Sequence, residues 1–163
     1  MTFCDDILNA MLDETALVKG LSREIKPEYL DYRPTPAQRS VRELLMYLPT
    51  CALRGVEACC LGDRPLFEKL APRCESMNWQ DFATLMDEQV EGLKHAIAAV
   101  DDEALASRTA RLPDGREAPL GQVLLLMGPQ CLTAYRMQLF LYLKAAGASH
   151  LDSSHCWLVN RDA

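Results

Sequence analysis

The sequence predicts an all-α fold, a four-helix bundle with long crossover connections, built as a single domain over residues 1–163. Three observations carry this expectation. Apolar residues recur at helical spacing in four separated stretches. Unbranched side chains outweigh aromatics, which make up only 7% of the chain, and unbranched side chains lose little rotamer freedom in a helix. A chain of 163 residues, 49% hydrophobic and 25% charged, has the size and balance of one ordinary hydrophobic core.

The first helix is expected from about Cys4 to Leu21, where Ile7, Leu8, Met11, Leu12, Thr15, Val18 and Leu21 form one stripe. The stretch YRPTPAQRS follows, and Pro34 and Pro36 make it an extended connector. Ser40 opens the second helix with Glu43 as its capping-box partner, and Gly62 is its natural stop. Between Asp63 and Met77, Pro65 and Pro72 break the pattern, so this segment is expected to cross one end of the bundle with at most a short turn. Asn78 caps the third helix, whose stripe runs from Phe82 through Gln89 to Val100 before Asp101 and Asp102 end it. Pro113-Asp114-Gly115 marks a hairpin-like excursion between Ser107 and Ala118. The fourth helix runs from Leu120 to about Ala146, apolar almost all round, and the tail is expected to pack Trp157 and Leu158 on the bundle.

Two segments resemble the DinB-like (DinB/YfiT-like) family. RPTPAQRSVRELLMYL is similar to that family's proline-containing connector leading into S-V-x-E-L-L-x-H-L. LGQVLLLMGPQCLTAYRMQLFLYLKAAG is similar to its fourth-helix pattern, which runs through H-x-x-x-H-R-x-Q-L to Y-L-x-x-x-G. The resemblance implies a bundle in which one histidine of the second helix and two of the fourth bind a divalent metal. Matched position by position, those ligands fall on Tyr47, Cys131 and Tyr135, none of which is histidine. Ser40, Glu43, Leu44, Leu45, Leu48, Arg136, Gln138, Leu139 and Gly147 match outside the ligands and carry fold rather than chemistry. Family members include thiol-dependent transferases and isomerases acting with low-molecular-weight thiols and many proteins of unknown activity. The resemblance therefore implies a bundle that binds a small molecule or acts through its dimer, with a metal-dependent enzyme of the thiol-dependent transferase or hydrolase type as the alternative. A neutral phenol is a weak ligand, so the expectation here is no cofactor, with the old metal level filled by side chains; the alternative is a rebuilt site holding nickel or zinc.

Pro49 and Pro129 flank the matched positions and should each remove a helical hydrogen bond, to the carbonyls of Leu45 and Leu125. Along the fourth helix Leu124, Met127, Cys131, Tyr135, Gln138 and Tyr142 share a face. With Tyr47 and Gln89 they make either a small-ligand pocket lined by Gln89, Met127, Gln138 and Tyr142 or a set of groups that satisfy one another. Cys131 is the candidate nucleophile if there is one, although no histidine lies within a turn to activate it. His95 is expected in solvent, and His150, Asp152, His155 and Cys156 fit no structural zinc spacing.

A net charge of −6 with 17 scattered basic residues offers no cationic face for a phosphate backbone, so no nucleic-acid partner is expected. No apolar run approaches the roughly 20 residues that cross a bilayer, so no membrane association is expected. The first ten residues lack a basic leader region, and a cytoplasmic setting is expected with the seven cysteines as free thiols. Leu125, Leu126, Met137, Phe140 and Leu141 widen the fourth helix's apolar face beyond one stripe. That surplus predicts a homodimer through this helix, unless the crossover or the tail covers it.

Overall fold

The computed structural model describes residues 2–158, and within them the chain is mostly helical with one two-stranded ribbon. Helix α1 (Phe3–Ser22) starts at a capping box in which Thr2 and Asp5 satisfy each other's backbone N–H groups, as the free donors of a first turn require. The carboxylate of Asp102 accepts from the Phe3 and Cys4 backbone N–H groups as well, at 3.0 Å each. A 3₁₀ turn (Pro27–Tyr29) precedes the irregular proline connector.

Helix α2 (Val41–Tyr47) opens on the expected Ser40–Glu43 box, with bonds of 3.2 and 2.7 Å. Pro49 then divides the second long member. A 3₁₀ turn covers Leu48–Thr50, and helix α3 (Leu53–Leu61) resumes and stops at Gly62. There φ is +83°, a conformation that a side chain resists. The stretch Val41–Leu61 is long and apolar enough, by length and composition, to cross a membrane, and 67% of it is buried within the protein. The sequence reading, which found no such run, underrated it because four charged residues punctuate it.

The crossover is also more regular than expected. Residues Pro65–Glu75 form helix α4. Pro65 stands at its start, where a missing N–H costs nothing, and Pro72 falls in its second half, so little helix follows the lost bond. The missing cap comes from a distant side chain. Glu57 of α3, 1% exposed, accepts from the Leu66 and Phe67 N–H groups at 3.1 and 2.9 Å. A buried carboxylate needs such partners, and two backbone N–H groups at a helix start supply them.

Asn78 caps a 3₁₀ turn that leads into α5 (Phe82–Ile97). That helix ends at Ile97, short of the expected Val100, and the Asp101 side chain caps a short further one, α6 (Asp102–Ser107). Strands β1 (Thr109–Arg111) and β2 (Glu117–Pro119) pair antiparallel with Ala110 opposite Ala118, around the predicted turn. The fourth long member is one run in three parts: α7 (Leu120–Leu125), a π-helical segment (Leu126–Gln130) containing Pro129, and α8 (Cys131–Ala146). Helix α9 (Ser153–Trp157) closes the described chain.

The four long members form a ring: α1 packs on α5 and α8, and α3 packs on α5 and α7. Their facing sides bury Met11, Leu44, Leu48, Leu53, Met86, Leu93 and Leu139 completely. Arg136, also fully buried, ties three helices together. It reaches Glu14 of α1 at 2.6 and 3.3 Å and the Cys156 carbonyl of α9, while the Trp157 ring lies 4.7 Å from the guanidinium carbon. The tail therefore docks through Cys156. Trp157 and Leu158, expected to pack, stay 61% and 68% exposed, while Cys156, whose carbonyl accepts from the Arg136 guanidinium, is buried.

Candidate functional site

Tyr47 ends α2 and Tyr135 lies one turn into α8. Their rings meet edge to face with centroids 4.8 Å apart, a favoured geometry for two aromatic quadrupoles. Burial, followed by hydrogen bonding with Tyr135, pushes the Tyr47 phenol well above its usual value. The Arg39 guanidinium covers the outer face of the Tyr47 ring at 4.4 Å.

One turn away, at the same level, Cys131 donates its thiol to the Cys51 carbonyl at 3.6 Å. That carbonyl is available because of the 3₁₀ turn: the Gly55 N–H, its partner in a regular helix, donates to Ala52 instead. Each thiol is the leading influence on the other's titration: interaction with Cys131, then burial, raises Cys51, and interaction with Cys51 lowers Cys131 from the ordinary thiol value. The structure thus brings Tyr47, Cys131 and Tyr135 together and adds Cys51. Sequence reasoning missed that residue although the signal was there, since Cys51 follows Tyr47 by four residues and Pro49-Thr50-Cys51 mirrors Pro129-Gln130-Cys131.

The remaining pocket residues lie elsewhere. Gln89, fully buried, donates to the Leu48 carbonyl at 3.2 Å and accepts from the Leu53 N–H at 3.4 Å. It mends the Pro49 break rather than lining a pocket. Met127 packs against Gly55, where an added Cβ would come within 2.4 Å of its terminal methyl. Gln138 and Tyr142 bond each other at 2.7 Å, and Tyr142 stacks edge-on against Tyr32. Each is a group satisfied by a neighbour, as buried polar atoms generally are. Among the described residues no group of three or more His, Cys, Asp or Glu side chains is placed to hold a metal ion. His95 is exposed. His150 pairs with Glu24 at 2.7 Å, and His155 completes the cap of α9 with Asp152.

Two cavities border the bundle. A pocket of about 270 Å³ opens on the outer side of the tyrosine–thiol level, between α2–α3 and α4, lined by Met46, Tyr47, Cys51, Phe67 and Ala71 with Arg54 and Glu75. A larger groove of about 800 Å³ runs along α1, α5 and α9 over Leu12, Ala16 and Val90. In its wall Thr15, 2% exposed, holds a hydroxyl with no hydrogen-bond partner among the described residues. The groove is the larger, but the smaller pocket is the one that adjoins the tyrosines and thiols.

These elements define a helical bundle that carries two phenols and two thiols, all but Cys51 half-buried, between its second and fourth long members. No protein-family model matches the chain, and no curated protein matches it either.

Proposed function

We propose that the chain is a DinB-like bundle in which side chains have refilled the metal level, and that it acts by binding a small zwitterionic molecule beside Tyr47. The family reading rests on the Ser40–Glu43 box, the order of the long helices, and the meeting of Tyr47, Cys131 and Tyr135 at the level where the resemblance puts the ligands. The donor set does not fit a nickel or zinc ion. The two rings meet with centroids 4.8 Å apart between the helices, and the groups present are phenols and thiols, with Tyr47 raised by burial and by Tyr135, and Cys51 by Cys131 and by burial.

The observation that carries the binding role is the 270 Å³ pocket, with its apolar floor of Met46, Phe67 and Ala71 and its two exposed, oppositely charged residues, Arg54 and Glu75. A few polar groups around an apolar cavity is the usual make-up of a small-ligand site, and opposite charges on one rim suit a molecule that carries both an ammonium and a carboxylate. Titration calorimetry with a set of amino acids and betaines tests it. Binding by wild type that is lost in Ala71→Trp, with the melting temperature kept, supports the proposal. No heat from any of them, or a stoichiometric metal in protein purified without a histidine tag, overturns it in favour of an enzyme with a rebuilt metal site.

A cytoplasmic setting belongs to this proposal, supported by seven free thiols. So does a homodimer through the fourth long helix, supported by Leu126 and Leu141 at 39% and 57% exposure. Phe140 does not contribute, because it is buried within its own chain, and Met137 is partly covered by the Cys156 sulfur at 3.2 Å. Light scattering at micromolar concentration checks the dimer: 18.2 kDa is the monomer result that removes it.

A further inference from the structure

We propose that Cys51 and Cys131 form an oxidation site, a thiol pair that hydroperoxides convert to a disulfide joining the second and fourth long helices at their two proline breaks. The inference stands on the geometry of the pair and does not depend on the ligand proposed above. The two cysteines are 80 positions apart in the sequence, yet each sits two residues after a proline, and each directly follows the backbone irregularity that its proline makes. The Cys131 thiol reaches the Cys51 carbonyl at 3.6 Å, which brings the two residues into contact across the two helices. Bond formation therefore starts from residues already side by side and needs the two sulfurs to close on each other.

The two members are also unequal in the way a two-step oxidation requires. Cys131 is partly exposed, and Cys51 is 5% exposed but lines the 270 Å³ pocket, which is a route for a molecule as small as hydrogen peroxide. Interaction with Cys51 favours the Cys131 thiolate, and the thiolate is the nucleophile. Its sulfur attacks the peroxide, the O–O bond breaks, and one oxygen leaves as water after taking a proton, giving a sulfenic acid on Cys131. The Cys51 sulfur then attacks that sulfur, forming the S–S bond and releasing the second oxygen as water with the Cys51 proton. Two thiols are oxidised and one peroxide is reduced. Other cysteines are poorer candidates: burial pushes Cys60 to about 12 and Cys74 to about 11, which keeps them as unreactive thiols.

The pair is testable because trypsin isolates each cysteine alone, in peptides 43–54 and 117–136. Fully reduced protein is treated with a small excess of hydrogen peroxide, quenched in acid, alkylated with N-ethylmaleimide, digested without reductant and analysed by mass spectrometry. The expected product is the cross-linked pair of these two peptides, 2 Da lighter than their sum, as the first disulfide formed. In Cys51→Ser the sulfenic acid on Cys131 should persist and be captured by dimedone. The proposal is overturned if both peptides remain alkylated, if Cys131 goes to sulfinic acid while Cys51 stays free, or if the first disulfide joins any other pair. The wild-type measurement decides the matter even if the variant folds poorly.

Discussion

Pro49 and Pro129 pose the same problem to the two helices that face each other across the bundle, and the helices solve it in opposite senses. At Pro49 the backbone tightens into a 3₁₀ turn; at Pro129 it widens into a π segment. The tight break is repaired mainly from outside. The Gln89 amide of α5 serves both the Leu48 carbonyl and the Leu53 N–H, while the Thr50 hydroxyl takes the Tyr47 carbonyl at 3.2 Å. Beside the wide break the polar side-chain contact comes from the same run, where the Thr133 hydroxyl donates to the Pro129 carbonyl at 2.8 Å. A contact from a neighbouring helix holds the tertiary structure together, and one made within a run does not.

The largest expected effect follows from that difference. Gln89→Met keeps the volume but takes the partner from the buried Leu53 N–H, at roughly 1 to 3 kcal/mol before relaxation, while the Leu48 carbonyl keeps the Cys51 N–H. We expect a loss of about 1.5 to 3 kcal/mol in urea unfolding. A loss under about 0.5 kcal/mol, within the range of ordinary surface substitutions, means the 3₁₀ turn does not depend on α5.

The next concerns the contact between the two broken runs. Gly55 follows the tight break and Met127 lies in the wide one. A Cβ on Gly55 would stand 2.4 Å from the Met127 terminal methyl and 2.9 Å from its Cβ. The methyl can swing aside, but the Met127 Cβ is fixed to the backbone, so Gly55→Ala forces the runs apart. Overpacking of this kind costs about 1 to 3 kcal/mol. Wild-type stability for this variant shows that the π segment yields freely.

Much of this bundle was legible in the chain. The capping residues Ser40, Glu43 and Asn78, the stop at Gly62 and the hairpin turn at Pro113-Asp114-Gly115 act through neighbours a few positions away, so local sequence specifies them. What was illegible depends on distant partners. Helix α4 was read as broken because of Pro65 and Pro72, and the cap that supports it, Glu57, lies eight residues before its start. Gln89 was left between lining a pocket and being satisfied by a neighbour, because nothing near it in sequence points to the Pro49 break. The meeting of Tyr47, Cys131 and Tyr135 was expected from the family resemblance together with the helix faces, whereas Cys51 required noticing that two prolines stand in the same relation to two cysteines. Trp157 and Leu158 were assigned to the bundle on hydrophobicity, which does not specify which side of a short helix turns inward.

The thiols carry the comparison into solution chemistry. Cys51, at the tight break, is raised, and Cys131, at the wide one, is lowered, with their mutual interaction as the leading cause of both shifts. The rate of iodoacetamide labelling at Cys131 should therefore rise with pH at lower values than for an ordinary thiol, since the thiolate is the reactive form. Cys51→Ala removes the partner and should move that profile to higher pH. An unmoved profile means that Cys51 does not set the Cys131 titration.

The smallest effect belongs to the contact made beside the wide break. Thr133 is partly exposed, so when its hydroxyl is removed water is close enough to take over some of the hydrogen bonding to the Pro129 carbonyl. The net worth of one such bond is about 0.5 to 1.5 kcal/mol. A threonine hydroxyl bonded back to the carbonyl four residues earlier, as here, also tends to bend its helix and gives back part of that gain. Thr133→Val keeps the branched shape and removes only the donor, so we expect a loss of about 0.5 to 1 kcal/mol, well below that of Gln89→Met. The two substitutions lie on different helices and share no hydrogen-bond partner, so their effects should add in the double variant. A Thr133→Val loss that equals or exceeds that of Gln89→Met would reverse the assignment and make the π segment the more demanding of the two breaks.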